Sequence, residues 1–357
     1  MEDSAGQAVK GGLSPRTASA GMMLAGSCIA PGQFAIVEQP LPDSAPEGWV
    51  LIDIAVVGLC GTDYHIFEGK HPYLDYPRVI GHELSGRLVA DLVTAEGRLA
   101  AGSLVVINPY VSCGECRPCL RGKPNCCMKI GVLGVHRDGG LTSRIAVPAG
   151  NVYSAEGLDE VAAAMVEFLA IGAHAVARSG IVAGDRVLVT GAGPIGIGTA
   201  LFARLAGAEV HLLDLSRKRL AQAAEKFGFA HLHDDPAKIL EGDLADGFDL
   251  VFDATGSAKA IEAGFALLAH GSTYVLVSVV KDRISFEDPE FHKRESRIIG
   301  SRNALRADFE HVMAAIRSGA IDTGALLSAE LTLTELTERF AALAHDRELL
   351  IKAVVRP

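Results

Sequence analysis

The chain has 357 residues, is 49% hydrophobic and 21% charged, and carries a formal net charge of −10 at pH 7. That length allows two folded domains, and the acidic balance without a lysine or arginine run argues against nucleic acid or an anionic membrane as partner. No apolar run reaches the roughly 18 residues of a membrane span; the nearest, around 162–177, is broken by Glu167 and His174. Residues 1–22 are rich in Ser, Gly and Ala, have Glu2 and Asp3 near the start, and lack the basic-then-apolar pattern of a secretory leader. They read as a disordered tail. Seven cysteines, an odd number concentrated in one stretch, argue for metal rather than disulfides, and so for the reducing cytoplasm.

From about residue 26 to 147 the chain reads as short strands between Gly- and Pro-punctuated loops, with strands at 49–57, 104–108 and 145–147. Two metal-ligand patterns fall in this part. Cys60 stands in Gly58-Leu59-Cys60-Gly61-Thr62-Asp63, ahead of Gly81-His82-Glu83. A thiolate and an imidazole need a third protein ligand, and no cysteine follows Cys127, so Glu83 and Glu167 are the candidates. One thiolate and one carboxylate balance Zn²⁺ and leave a position for water or a substrate oxygen. Glu167 lies in an otherwise apolar helical stretch, where a carboxylate is costly unless paired or metal-bound. The second pattern, Cys113, Cys116 and Cys119 with either Cys126 or Cys127, supplies four thiolates for a closed, structural zinc.

From about residue 180 the texture changes to alternating strands and helices. Strands at 186–190, 209–213, 248–253 and 273–279 alternate with helices at 196–206 and 217–227, which implies a parallel sheet covered on both faces. Gly191-Ala192-Gly193-Pro194-Ile195-Gly196 follows a strand and opens a helix, the glycine turn on which a dinucleotide pyrophosphate rests. Asp214 ends the next strand, where a carboxylate accepts from a ribose 2′-OH and repels a 2′-phosphate, so NAD is the expected cofactor. Arg217, Lys218 and Arg219 lie nearby as the contrary signal. Thr255, Val277 and Ser278 sit at strand ends where the nicotinamide half would rest. Helices at 309–318 and 333–345 and a last strand at 351–355 follow.

Together these motifs resemble the zinc-containing medium-chain dehydrogenase/reductase family, over about residues 23–357. The resemblance implies an α/β architecture: a GroES-like β-rich catalytic domain (23–172 and 301–357) and a Rossmann domain (173–300), with the active site between them. It selects Cys127 over Cys126 as the fourth lobe ligand. The position of Glu167 carries cysteine in many simple-alcohol dehydrogenases and glutamate in the sorbitol- and threonine-dehydrogenase-like branches. The family likeness further implies two zinc ions per chain and a proton relay through Thr62 and His65. It sets Arg302 near the cofactor pyrophosphate and implies a homodimer or homotetramer, with strand 273–279 as a pairing edge.

The expected reaction is oxidation of a secondary alcohol of a polyol or sugar acid by NAD⁺, with threonine or another alcohol as the alternative substrate. The polar and aromatic segment 67–76 suits a polyhydroxylated molecule, and Phe168 is a possible wall of its pocket. Lys70, His71, Arg78, Lys293 and Arg302 are candidate partners for a carboxylate. Rival readings are a non-catalytic zinc- and NAD-binding protein, a zinc-free reductase, and a redox switch at Cys126-Cys127.

Overall fold

The computed structural model describes residues 17–71, 74–94 and 96–357. Residues 1–16 of the expected tail, and Pro72 and Tyr73 of the segment 67–76, lie outside the described residues. Met22, the last residue of that expected tail, opens the strand Met22–Ala30, which pairs antiparallel with Gln33–Pro40.

Alternating burial and strong β-formers make Trp49–Leu59 the axis of the first domain. On one side of it lie Glu83–Leu88, Leu104–Ile107 and Val152–Ser154; on the other, Lys352–Arg356 and then Leu327–Thr332. Arg144–Pro148 also pairs with it. The C-terminal strand therefore returns to the first domain, setting Ala353 opposite Leu59.

The second domain is a six-stranded parallel sheet ordered His231–His233, Glu209–Leu213, Arg186–Thr190, Phe248–Asp253, Leu268–Leu276, Arg297–Gly300. Val187, Leu188, Val189, Val251 and Phe252 are fully buried, as central strands covered on both faces require. The strand expected at 273–279 runs over Leu268–Leu276 and is interior. The outer strand is Arg297–Gly300, which leaves 273–279 without a pairing edge. Val277 and Ser278 have left the sheet, and their N–H groups donate to the Asp253 carbonyl.

One element joins the domains. Helix Val166–Ser179 carries Glu167 in its first turn and continues past residue 173 to a left-handed cap at Gly180. It crosses helix Pro194–Leu205, which opens at the glycine turn. At the crossing the backbones nearly touch: a Cβ on Gly172 would stand 2.6 Å from the Thr199 nitrogen. Phe168, Leu169, Ile197, Phe202 and Phe309 share one hydrophobic core across this junction.

Gly172→Val should therefore force the two helices apart and destabilise the protein by about 1–3 kcal/mol. A denaturant titration would read the loss, and an unchanged midpoint would mean the contact is not tight.

Candidate active site

Strand Trp49–Leu59 ends at Cys60, whose backbone N–H donates to Asp63 Oδ2 at 2.9 Å. Asp63 Oδ1 accepts from the Gly81 N–H at 3.2 Å, so one buried carboxylate ties the Cys60 loop to the turn presenting His82. The ligand atoms of Cys60, His82 and Glu83 lie within 4.8 Å of one another. Thr62 Oγ1 stands 3.8 Å from Cys60 Sγ, and His65 lies exposed further along the same helix, Gly61–Phe67.

The two candidate third ligands have different partners. Glu83, fully buried, accepts from Lys352 Nζ at 2.6 Å through both oxygens. That ammonium also donates to the Leu59 carbonyl at 3.1 Å and stands 4.2 Å from the Phe168 ring centroid. Glu167, also buried, accepts from the Tyr110 hydroxyl.

Charge makes the pocket a cation site. Burial pushes the Glu167 carboxyl up to about 7, with His82 pulling it down and Glu83 pushing it up. Burial raises Asp63 too. For His82, burial favours the neutral ring, but Asp63 and Cys60 outweigh it and hold the imidazole well above its usual range. His82 Nδ1 is buried without a hydrogen-bond partner, since Asp63 Oδ1 is 3.8 Å away. A soft thiolate, an under-satisfied imidazole and two buried carboxylates fit a divalent zinc ion. Cys60 and His82 would hold it, with Glu83 or Glu167 completing the set.

The cysteine lobe fits a closed site. Sγ–Sγ distances are 3.4 Å for Cys116–Cys119, 3.5 Å for Cys113–Cys127 and 3.8 Å for Cys116–Cys127. Four sulfurs at about 2.3 Å from a tetrahedral ion would stand roughly 3.8 Å apart. The N–H groups of Cys113 and Lys129 both donate to Cys127 Sγ at 3.3 Å, the stabilisation a thiolate needs. Cys127 is buried within the lobe while Cys126 is exposed outside it, so the two do not act as one pair.

In the nucleotide domain, Gly193 caps helix Pro194–Leu205, and Pro194 takes the first helical position, where no N–H is missed. Gly196 must lack a side chain, because a Cβ there would fall 1.7 Å from the Gly191 carbonyl oxygen. Ile195 follows in the first turn. Asp214 accepts from the Ala192 N–H and the Ser216 N–H, both at 2.8 Å, which sets its carboxylate against the glycine turn. Arg219 Nη1 stands 3.5 Å from that carboxylate, and Arg219 Nε donates to the Glu348 carbonyl. Thr255 Oγ1 and Ser278 Oγ both donate to buried Asp253, which fixes two strand ends at the crevice beside Val277. Arg302 is exposed, and its carbonyl accepts from Asn125 of the cysteine lobe at 3.0 Å.

Other expected groups are placed elsewhere. Arg78 pairs with Asp138 at 3.1 Å, and Lys293 with Glu290 at 2.9 Å on an exposed helix. Lys352 and Tyr110 went unremarked in the sequence. A lysine inside Ile351-Lys352-Ala353-Val354-Val355 was the available signal, because an ammonium in a buried strand demands an acid.

A nucleotide crevice facing a pocket built for zinc is the plan of a metal-dependent dehydrogenase. The chain belongs to the zinc-type alcohol dehydrogenases: the model of the alcohol dehydrogenase GroES-like domain matches residues 46–157, and that of the zinc-binding dehydrogenase matches 194–318. L-galactonate-5-dehydrogenase of Escherichia coli K12 is 40% identical over 92% of this chain and 97% of its own. A sorbitol dehydrogenase of Halalkalibacterium halodurans is 30% identical over 91% and 96%. Among solved structures, an alcohol dehydrogenase from Escherichia coli CFT073 complexed with NADH has a TM-score of 0.87 at 28% identity, covering 94% of this chain and 100% of its own. A dehydrogenase from Sinorhizobium meliloti 1021 bound to NADP has a TM-score of 0.84 at 28% identity, with 94% and 99% covered. Among the described residues, no helix is long and apolar enough to cross a membrane.

Lys352→Met should strand the Glu83 carboxylate and cost about 3–5 kcal/mol, while Lys352→Met with Glu83→Met should regain most of it. Urea midpoints of Lys352→Met, Glu83→Met and the double variant would check this; losses that simply add would mean the pair carries no coupling.

Proposed function

We propose that the protein oxidises a secondary hydroxyl of a sugar acid or polyol, with NAD⁺ as hydride acceptor and two zinc ions per chain. The observation that carries this reading is the meeting of Cys60, His82 and Glu83 beside Glu167, in a pocket whose unbalanced buried anions call for a divalent cation. Zinc bound there would supply the Lewis acidity that makes a substrate hydroxyl easier to ionise. Thr62, next to Cys60, would accept the hydroxyl proton, and His65 at the exposed end of the same helix would release it to solvent. Burial and then Arg347 hold the His65 imidazole below its usual range, so it is a neutral acceptor near pH 7. Cys113, Cys116, Cys119 and Cys127 would hold the second zinc, which has no open position and therefore no chemical role.

The substrate class rests on the mouth of the cleft. Lys281 of the nucleotide domain donates to the Lys70 carbonyl of the catalytic domain at 2.8 Å. Lys70, Lys281 and Arg347 all act electrostatically on His65, and Lys281 and His82 on His71. Glu68 pairs with Lys70 at 3.1 Å and with Arg347 at 2.9 Å, so the cationic excess of this rim rests on Lys281, which would meet a carboxylate-bearing substrate, in keeping with the sugar-acid name of the 40%-identical relative. Asp214 favours NAD, because its carboxylate, held beside the glycine turn by the Ala192 and Ser216 N–H groups, would accept from a ribose 2′-OH and repel a 2′-phosphate. We further propose a homodimer or homotetramer in the cytoplasm, with the outer strand Arg297–Gly300 as the exposed sheet edge.

Reduction of NAD⁺, followed by absorbance across aldonic acids, sugar alcohols, threonine and simple alcohols, tests the reading. Aldonates or polyols should be turned over, with NADP⁺ at least about tenfold poorer. Turnover of simple alcohols alone would overturn the substrate class. Thr62→Ala should lower kcat by about 10²-fold or more with zinc content unchanged. Elemental analysis should give two zinc ions per chain. A chelator that removes one should abolish activity before it lowers the melting temperature, and loss of the second should lower that temperature.

A further inference from the structure

The flank of the nucleotide sheet carries a set of metal-ligating side chains that neither the cleft nor the cysteine lobe uses. Parallel pairing sets His211 opposite His231 and Leu213 opposite His233. Side chains alternate along a strand, so Glu209, His211, His231 and His233 share one face. The ligand atoms of Glu209, His211 and His231 lie within 4.8 Å of one another. His211 Nε2 is 2.9 Å from Glu209 Oε1, and His211 Nδ1 is 2.9 Å from His233 Nε2. The His211 and His231 rings stack at 4.4 Å. His211 is buried edge-on against Phe248 at 5.2 Å, whereas Glu209 and His231 are exposed, so one wall is fixed and the other side opens to solvent.

We propose that Glu209, His211 and His231 form a third divalent transition-metal site, which takes Zn²⁺ or a similar borderline ion through two imidazoles and one carboxylate. The chemistry of the donor set matches such ions, and solvent fills the remaining positions. A metal on His211 Nε2 takes the place of the proton shared with Glu209; the ring switches tautomer so that its one proton sits on Nδ1, and His233 switches with it to leave Nε2 as an acceptor. His211 Nδ1–H then donates to His233, the outer hydrogen bond that orients most metal-ligating histidines. Neighbouring donors at about 2.0–2.1 Å from a tetrahedral ion stand roughly 3.3 Å apart, so the Glu209–His211 pair opens by a few tenths of an ångström. Arg186 Nε, 3.7 Å from Glu209 Oε1, is the nearby cation the ion must tolerate.

Such an ion clips the outer strand His231–His233 to Glu209–Leu213. The clip bears on the end of that strand, because the Asp214 N–H donates to the His233 carbonyl at 3.1 Å. The test uses the zinc-replete full chain, dialysed free of loose metal and titrated with ZnCl₂ by calorimetry and elemental analysis. Wild type should take up one further equivalent and melt at a higher temperature as it fills. His231→Asn and Glu209→Gln, both at exposed positions, should keep the tightly bound zinc and lose this equivalent. His233→Asn should weaken it about 10- to 100-fold. No further equivalent in wild type, or one that persists in both His231→Asn and Glu209→Gln, would overturn the proposal.

Discussion

Burying negative charge is the constraint on which this molecule turns. Asp63, Glu83 and Glu167 are all sealed from solvent within one pocket, beside the Cys60 thiol. Each carboxylate would cost several kcal/mol if left unpaired. Three kinds of compensation meet there: backbone N–H groups for Asp63, a phenol for Glu167 and an ammonium for Glu83. The last explains why the chain end must return to the first domain. Lys352 is the only lysine fully buried among the described residues, and strand Lys352–Arg356 delivers it beside Leu59, one residue before Cys60. What remains uncompensated is the imidazole of His82 and the excess anionic charge, a donor set that suits a dication.

The second organising feature is helix Val166–Ser179, to which every other part of the machinery is fastened. Its first turn carries Glu167 into the pocket. Gly172 lets it rest on the helix that starts at the dinucleotide turn. Two turns after Glu167, buried His174 bonds Asp308 at 2.7 Å through Nδ1 and Asn125 at 3.2 Å through Nε2. Asn125 adjoins Cys126 and Cys127, and its backbone carbonyl accepts from Asn303 at 2.9 Å. The cysteine lobe is thus tied to the catalytic helix and to the segment leaving the nucleotide domain. A lobe too polar to pack on its own gains a fixed position, and a metal that closes it stiffens the wall of the cleft.

Net charge and local charge point in opposite directions. The chain is acidic overall, yet Lys70, Lys281 and Arg347 gather about His65 at the mouth of the cleft, with Glu68 pairing two of them. A global balance of −10 tells which large polyanions the surface repels. It says little about a small anion that meets only this rim, because fields beyond about 10 Å are screened at ordinary salt.

This difference between local and assembled information also decides what could be read from the sequence. Strands Arg186–Thr190, Glu209–Leu213 and Phe248–Asp253 and helices Arg217–Phe227 and Leu333–His345 were legible because periodicity, caps and turn glycines are written within a dozen residues. The metal motifs were legible for the same reason. The hairpin Met22–Pro40 was missed because its strands carry glycine, serine and proline, and the short strand His231–His233 because three residues hold no period. The choice of partner for Glu83 lay beyond any window, since Lys352 is 269 residues away and nothing in its own neighbourhood names the acid it must meet. Glu167 was visible as an acid in an apolar helix, but whether it met a metal, a lysine or the Tyr110 hydroxyl depended on which strand end faced it. Burial forces each such group to find a partner, and only the topology says which one.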